Sequence, residues 1–268
     1  MYSLALPAAP FAHNKKLNMQ ATTIPSNKTV LTSLLRADFI TQWRNRRSVI
    51  LILLIPVIIL ISWKGFVETQ GGPFVLSNCI TIGLNAIGLM GYSNATARDR
   101  DKGIFQRLRV APLTAWSIMV SRLTVQLAMI MLVTTGVFIA GHYGDGITLS
   151  PTGYAAGYVM AFIGGAVYLG LGQAIVGLIK NAETVNAVTR LVYFVFIMVG
   201  MFADTGVMGI KMKDFSKWSP YGSVKSILAA AMKPETWNQT STILLLVTIG
   251  YAVVFSGIGI KFFKWTSK

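Results

Sequence analysis

The stretch Ala97-Arg-Asp-Arg-Asp-Lys-Gly-Ile-Phe-Gln-Arg-Leu-Arg-Val-Ala-Pro-Leu-Thr114 lies between two long apolar blocks, and the chain is read outward from it. It carries five cations and two anions. On either side the apolar residues run in blocks of about 20, the length of helix that crosses about 30 Å of hydrocarbon. The 268 residues are 53% hydrophobic and 12% charged, about half the charged share of a soluble domain. A closed barrel would need short strands alternating with period two, and these blocks do not alternate. The fold class that follows is an all-α polytopic membrane protein.

Six spans are expected, at about 49–66, 74–96, 116–141, 152–179, 188–203 and 242–262. Pro56 marks a kink in the first. Arg44, Arg46 and Arg47 precede span one, the charged stretch follows span two, Lys180 and Arg190 flank the link between spans four and five, and Lys261, Lys264 and Lys268 end the sequence. The loop from His142 to Pro151 has no Lys or Arg. Positive-inside bias therefore puts both termini and the charged stretch in the cytoplasm. The segment from Asp204 to Ser241 is outside by this count yet carries five lysines, which weigh little in a long loop.

Residues 1–27 carry no steady periodicity and read as a mobile cytoplasmic tail, with Met19 an alternative start. Met1 to Phe11 lacks the basic region and apolar core of a signal peptide. Residues 28–268 form the membrane domain. Lys28 to Arg47 reads as a helix with Leu31, Leu34, Leu35 and Phe39 on one face and Arg36, Arg44 and Arg47 largely opposite, blurred by Ile40 and Trp43. It is either an interfacial helix, with Trp43 at the headgroups, or a plain lead-in to span one. Ser219-Pro220 starts a helix whose apolar stripe is Val224, Ile227, Leu228 and Ala231. About ten residues are too few to span, so that helix dips into the membrane or lies on it.

The net charge of +15 sits mostly beside apolar blocks. There it reads as topology and anionic-lipid contact rather than nucleic-acid binding. Lone Cys79 rules out an intramolecular disulfide and a cysteine metal cluster. The two histidines, His13 and His142, form no zinc motif, and no nucleophile elbow or phosphate loop is present. The chain is read as non-catalytic, with no metal site and no cofactor of its own. Mid-membrane carboxylates, usual in ion-coupled transporters, are absent. Arg122, two turns into span three, either snorkels to phosphates or serves a subunit contact or anionic-substrate entry. Glycines crowd span four, where close helix packing accounts for them. Asn85, Gln126 and Gln173 either line a pathway or bond between helices.

Within the charged stretch, Gly103 breaks the helix leaving span two, Pro112 starts the next, and Ile104, Phe105, Leu108 and Val110 interleave the charges. An ordinary positive-inside loop needs neither Asp99 and Asp101 nor regular apolar residues. The pattern suits a short amphipathic helix, across the membrane axis, that docks in a partner's groove.

Residues 98–114 resemble the signature of ABC-2 type transporter permeases, an acidic residue followed by x-Gly-Thr-x-Glu-x-Leu-x-x-Ser/Thr-Pro-Leu after the second span. Asp101, Gly103, Leu108, Pro112 and Leu113 match, while Ile104, Gln106 and Ala111 depart from it. The resemblance extends over residues 28–268, and the drug-export branch looks nearest. It implies a permease subunit of an ATP-driven exporter in the bacterial plasma (inner) membrane, acting as a homodimer with two separate ATP-binding subunits that hold ATP and Mg. It assigns ATPase coupling to Arg98, Asp99, Arg100, Asp101, Lys102, Gly103, Phe105, Arg107, Leu108 and Pro112. The interfacial connecting helix would use Arg36, Phe39, Trp43 and Arg44. The implied cargo is hydrophobic or amphiphilic, drug-like or lipid-like. A lipid-linked glycan exporter is the alternative within the family, and a non-transporting membrane scaffold or sensor is the alternative outside it.

Overall fold

A computed structural model describes residues 27–110, 115–204 and 209–263, and every regular element among them is helical. The 1–27 tail apart from Asn27, together with Pro112 and Leu113, lies outside the described residues. The chain runs α1 (Asn27–Arg44), α2 (Arg46–Ser62), α3 (Lys64–Gln70), α4 (Gly72–Asn85), a π-helical turn (Ala86–Tyr92), α5 (Ser93–Asp101) and α6 (Ile104–Val110). It continues through α7 (Ala115–Asp145), α8 (Pro151–Leu178), α9 (Ala182–Asp204), α10 (Ile210–Trp218), α11 (Pro220–Met232), a 3₁₀ turn (Pro234–Thr236) and α12 (Gln239–Phe262).

Five helices are long and apolar enough to cross a membrane: Gly72–Asp101, Ser117–Asp145, Pro151–Leu178, Ala182–Ala203 and Gln239–Phe262. A bent pair, Lys28–Arg44 with Val49–Ser62 at 62°, makes up to six when it is counted as one span. Their ends are set by local chemistry. Ser150 accepts from the Gly153 amide at 3.0 Å with Pro151 at the first helical position, and Asn238 accepts from the Ser241 amide at 3.0 Å. Such caps satisfy amides that the helix itself leaves bare. Asn181 accepts from Glu183 and Thr184, so α9 starts at Ala182, six residues before the apolar block suggested.

The first span also differs from its expected limits. Its bend comes at Asn45, ahead of the span, and α2 continues through Pro56. It ends at Ser62, where Trp63 (φ −100°, ψ 17°) leaves helical geometry, so the expected end at Phe66 falls in α3. Apolarity continues across that joint, which is why composition alone ran the span through it.

α8 is the central helix. It packs on α4 and the π turn on one side, on α12 on another, and on α7 and α11. The approach to the π turn requires glycine on both partners. A Cβ on Gly88 would stand 2.5 Å from the Tyr168 backbone carbon, and one on Gly172 2.5 Å from the Gly88 carbonyl oxygen. No side chain fits there, and the helices gain the close dispersion contact that lipid cannot supply.

α11 is enclosed by other helices. Tyr221, Val224, Ile227, Leu228 and Met232 are buried, packed against α4, α8 and α12. A surface helix would expose one face. Protein cover is also the condition under which a short helix can sit at membrane depth. α9 and α12, in contrast, expose large apolar side chains such as Leu191, Phe194, Leu246 and Val253, as suits helices solvated by lipid.

Candidate functional site: a charged turn bolted to two spans

The charged stretch is not one helix. Its first part, through Asp101, is the end of the second span, a rod continuous from Gly72. Lys102 and Gly103 make the turn, and α6 begins at Ile104. Gly103 has φ +68°, and its amide reaches the Arg100 carbonyl at 3.0 Å. A left-handed residue just past a helix end is the standard stop, and only glycine adopts it without strain. The same residue opens α6, because its carbonyl accepts from the Arg107 amide at 3.2 Å.

Side chains of the stretch separate into two sets. Arg98, Asp101, Lys102, Gln106 and Arg107 are exposed. Arg100 and Phe105, by contrast, are 1% and 2% exposed and are turned into the bundle. Arg100 caps the end of α8. One Nη donates to the Val176 carbonyl at 2.7 Å, and the other to the carbonyls of Ile179 and Lys180 at 2.7 and 2.6 Å. Val176 and the C-cap Ile179 have carbonyls that the helix end leaves unpaired, at the negative pole of its dipole, and Lys180 follows directly after them. The planar fork of arginine suits several of them at once.

Phe105 is held on two sides. The Arg122 guanidinium stands 4.7 Å from its ring centroid, and Phe263, just past α12, meets it edge-on at 5.6 Å. Arg122 also pairs with Asp99 at 2.6 Å. Through these two contacts Arg122 ties α7 to α5 and α6. Asp99 is accordingly turned inward to the pair. The backbone of Leu108 lies in α6, but its side chain and all of Pro112 are outside the described residues.

α1 packs along the lower part of α7. The Ser121 hydroxyl donates to Asp38 at 2.6 Å, and Gln126 donates to Gln42 at 3.4 Å. Leu34, Asp38 and Gln42 face a cavity of about 290 Å³ shared with Thr96, Asp99, Ile104 and Arg122. Phe39 and Trp43 stack at 6.2 Å on the other side, about half exposed, with Arg36 and Arg44 also exposed. Trp43, one of the two residues that blurred the sequence pattern, thus pairs with Phe39 in a separate aromatic stripe.

Two of the three pathway candidates bond between helices: Gln126 to Gln42 of α1, and Gln173 of α8 as acceptor for the Tyr92 hydroxyl. Asn85, fully buried where α4 meets the π turn, has no partner for its amide oxygen or nitrogen among the described residues.

The sequence did not point to the carbonyls of Val176, Ile179 and Lys180 or to Phe263. Its one usable signal was Arg122, since a cation inside an apolar block calls for a carboxylate at the same depth.

The family model for ABC-2 type transporters matches residues 29–232, from α1 to the end of α11. The chain belongs to the ABC-2 type transporter family. No match is found among curated proteins. As a member of that family the chain is a membrane permease component of an ATP-binding-cassette transporter, and an integral membrane protein. ABC-2 permeases normally pair with an ATP-binding subunit, where the ATPase activity resides. The matched region contains the whole bolted turn and the helices it is bolted to.

Proposed function

We propose that this permease is the membrane half of an exporter, and that the exposed residues of the α5–α6 turn are where its ATPase pushes. The reading rests above all on the way the turn is fixed. Arg98, Asp101, Lys102 and Arg107 offer charge to a partner. Behind them Arg100 grips α8, while Arg122 grips Asp99 and Phe105 from α7. A loop held by loose contacts would absorb a push. One fixed to two spans moves with them as a body, as domain-scale switching requires.

In this reading both termini and the turn face the cytoplasm of a bacterial inner membrane. Two copies of the chain form the channel, and two ATP-binding subunits, holding ATP and Mg, dock below. α1 lies at the membrane surface, with Phe39 and Trp43 toward lipid and its other face on α7. The cargo is hydrophobic or amphiphilic, because the spans are poor in charge and the chain has no deep ionisable pathway. Asn85, buried and without a hydrogen-bond partner among the described residues, is a candidate polar contact for it.

Co-purification tests this. A tagged chain should bring down an ATPase whose hydrolysis rate the permease alters. Reversing Arg98, Lys102 and Arg107 to Glu should release that ATPase while the permease stays folded. An ATPase that remains bound and equally stimulated would place the docking surface elsewhere. A bound partner without substrate-dependent hydrolysis would favour a scaffold over a transporter.

A further inference from the structure

A cleft between α7, α8 and α12 serves neither the turn nor the packing described above. Met119, Leu123 and Leu127 recur every four residues on α7 and so share one face. With Leu169 and Gln173 of α8 and Ile260 of α12 they line a cavity of about 140 Å³. Its wall is apolar but for Gln173 and Ser256. Ile260 is half-exposed and lies two turns on from the lipid-facing Val253, on the same side of α12. Met119 and Leu123 are partly exposed as well. The cleft therefore opens toward lipid.

Gln173 supplies the polar signal. It is 4% exposed. Its Oε1 accepts from the Tyr92 hydroxyl, while its Nε2 has no partner among the described residues. α12 crosses close over its stem, since a Cβ on Gly259 would stand 2.5 Å from Gln173 Cγ. Packing thus holds the side chain in place. A buried amide N–H left unmade costs free energy that one acceptor recovers. Depth identifies the acceptor. α8 has 28 residues, about 42 Å at 1.5 Å per residue, so when centred it overhangs about 30 Å of hydrocarbon by about 6 Å at each end. Gln173 stands five residues before the end at Leu178, about 7.5 Å in. That is the edge of the hydrocarbon, where a phospholipid carries its acyl ester carbonyls. The volume agrees. An apolar cavity of about 150 Å³ admits a molecule the size of benzene, so the cleft takes roughly the first six carbons of a chain.

We propose that the cleft seats an acyl chain of a resident bilayer phospholipid, whose ester carbonyl accepts from Gln173 Nε2. A few placed polar groups orient a ligand that apolar walls hold. The floor of the cleft is α8, the central helix, so a chain enters from the bilayer and leaves by the same side, which suits a resident lipid rather than cargo. Seated there, it braces α7 against α8 beside the contacts that fix the turn. Arg122 adjoins Leu123, and Arg100 grips the carbonyl of Val176, three residues past Gln173. The exporter reading supplies only the leaflet, the cytoplasmic one, and the site stands without it.

The test uses the full-length permease in nanodiscs holding equal amounts of palmitoyl-oleoyl phosphatidylethanolamine and its ether-linked analogue, which keeps the chains and headgroup but lacks the carbonyls. After transfer to detergent, retained lipid is counted by native mass spectrometry. Wild type should retain the ester over the ether about tenfold, the weight of one hydrogen bond to a buried donor otherwise left unpaired. Gln173→Leu should bring that ratio close to one. Because it also frees the Tyr92 hydroxyl, Ala166→Phe provides a second arm. Its ring enters the cleft from the α8 wall and should cut retention of both lipids about fivefold or more. Leu246→Phe, on the exposed side of α12, should leave retention unchanged. Equal retention of ester and ether by wild type, an ester preference that survives Gln173→Leu, or a loss in Ala166→Phe no greater than in Leu246→Phe overturns the proposal. No ATPase is needed, so the site can fail while the exporter reading stands, and the reverse.

Discussion

Replacing Arg100 by Ala is the most informative single perturbation. The side chain makes three hydrogen bonds to carbonyls at the end of α8, all between 2.6 and 2.7 Å. A bond with one charged partner contributes about 1.5–3 kcal/mol net, so the gross loss is about 4.5–9 kcal/mol. Two effects reduce it. The variant no longer buries a guanidinium whose Nε lacks a partner among the described residues, and water entering the gap satisfies some of the freed carbonyls. The expected net loss is about 3–5 kcal/mol, at the upper end for single substitutions. For a chain of this size that is a fall in Tm of about 10 °C, measured by thermal unfolding in nanodiscs. Arg100→Lys keeps the charge but not the fork, and should fall between the two. The control is Arg98→Ala, two positions away and exposed, which should change stability by less than about 0.5 kcal/mol. If Arg100→Ala melts within a degree of wild type, or if Arg98→Ala costs as much, the cap does not hold the turn to α8. The push would then need another route.

Three further outcomes follow from the same geometry. Gly103→Ala should cost about 1–2 kcal/mol through its positive φ alone, since a Cβ there meets nothing closer than Gln106 Oε1 at 3.6 Å. Gly103→Asn should recover much of that loss, and denaturant titration of both variants checks the pair. A double-mutant cycle on Asp99→Asn and Arg122→Gln should give a coupling of about 1–2 kcal/mol, more than an exposed pair because both groups are mostly buried. A coupling near zero would show the pair to be incidental. Gly172→Leu should prevent the approach of α8 to the π turn at Gly88 and cost at least about 1–3 kcal/mol, read as lost thermal stability, whereas Gly250→Leu, with open space around it, should fold normally.

Much of the membrane architecture is legible in the sequence because lipid imposes few solutions. Blocks near 20 apolar residues locate the spans, and Ser219-Pro220 fixes the start of α11 to the residue. What fails is confined to joints. The ends of α2 and α9 and the division of the charged stretch between α5 and α6 depend on caps and on Trp63 and Gly103 dihedrals, which hydropathy does not register.

The charged turn shows where the division lies. Its charge, its glycine and its place between two spans are properties of the chain, and they were enough to recognise the family. Which of its residues face outward was decided by packing alone. Arg98 and Arg100 are the same residue type two positions apart, yet helical geometry turns them about 200° from one another. One meets solvent, and the other meets the end of a helix some 76 residues further along the chain. Spacing along a sequence carries no record of that distant partner, because the carbonyls that hold Arg100 belong to the backbone and leave no mark on residue identity.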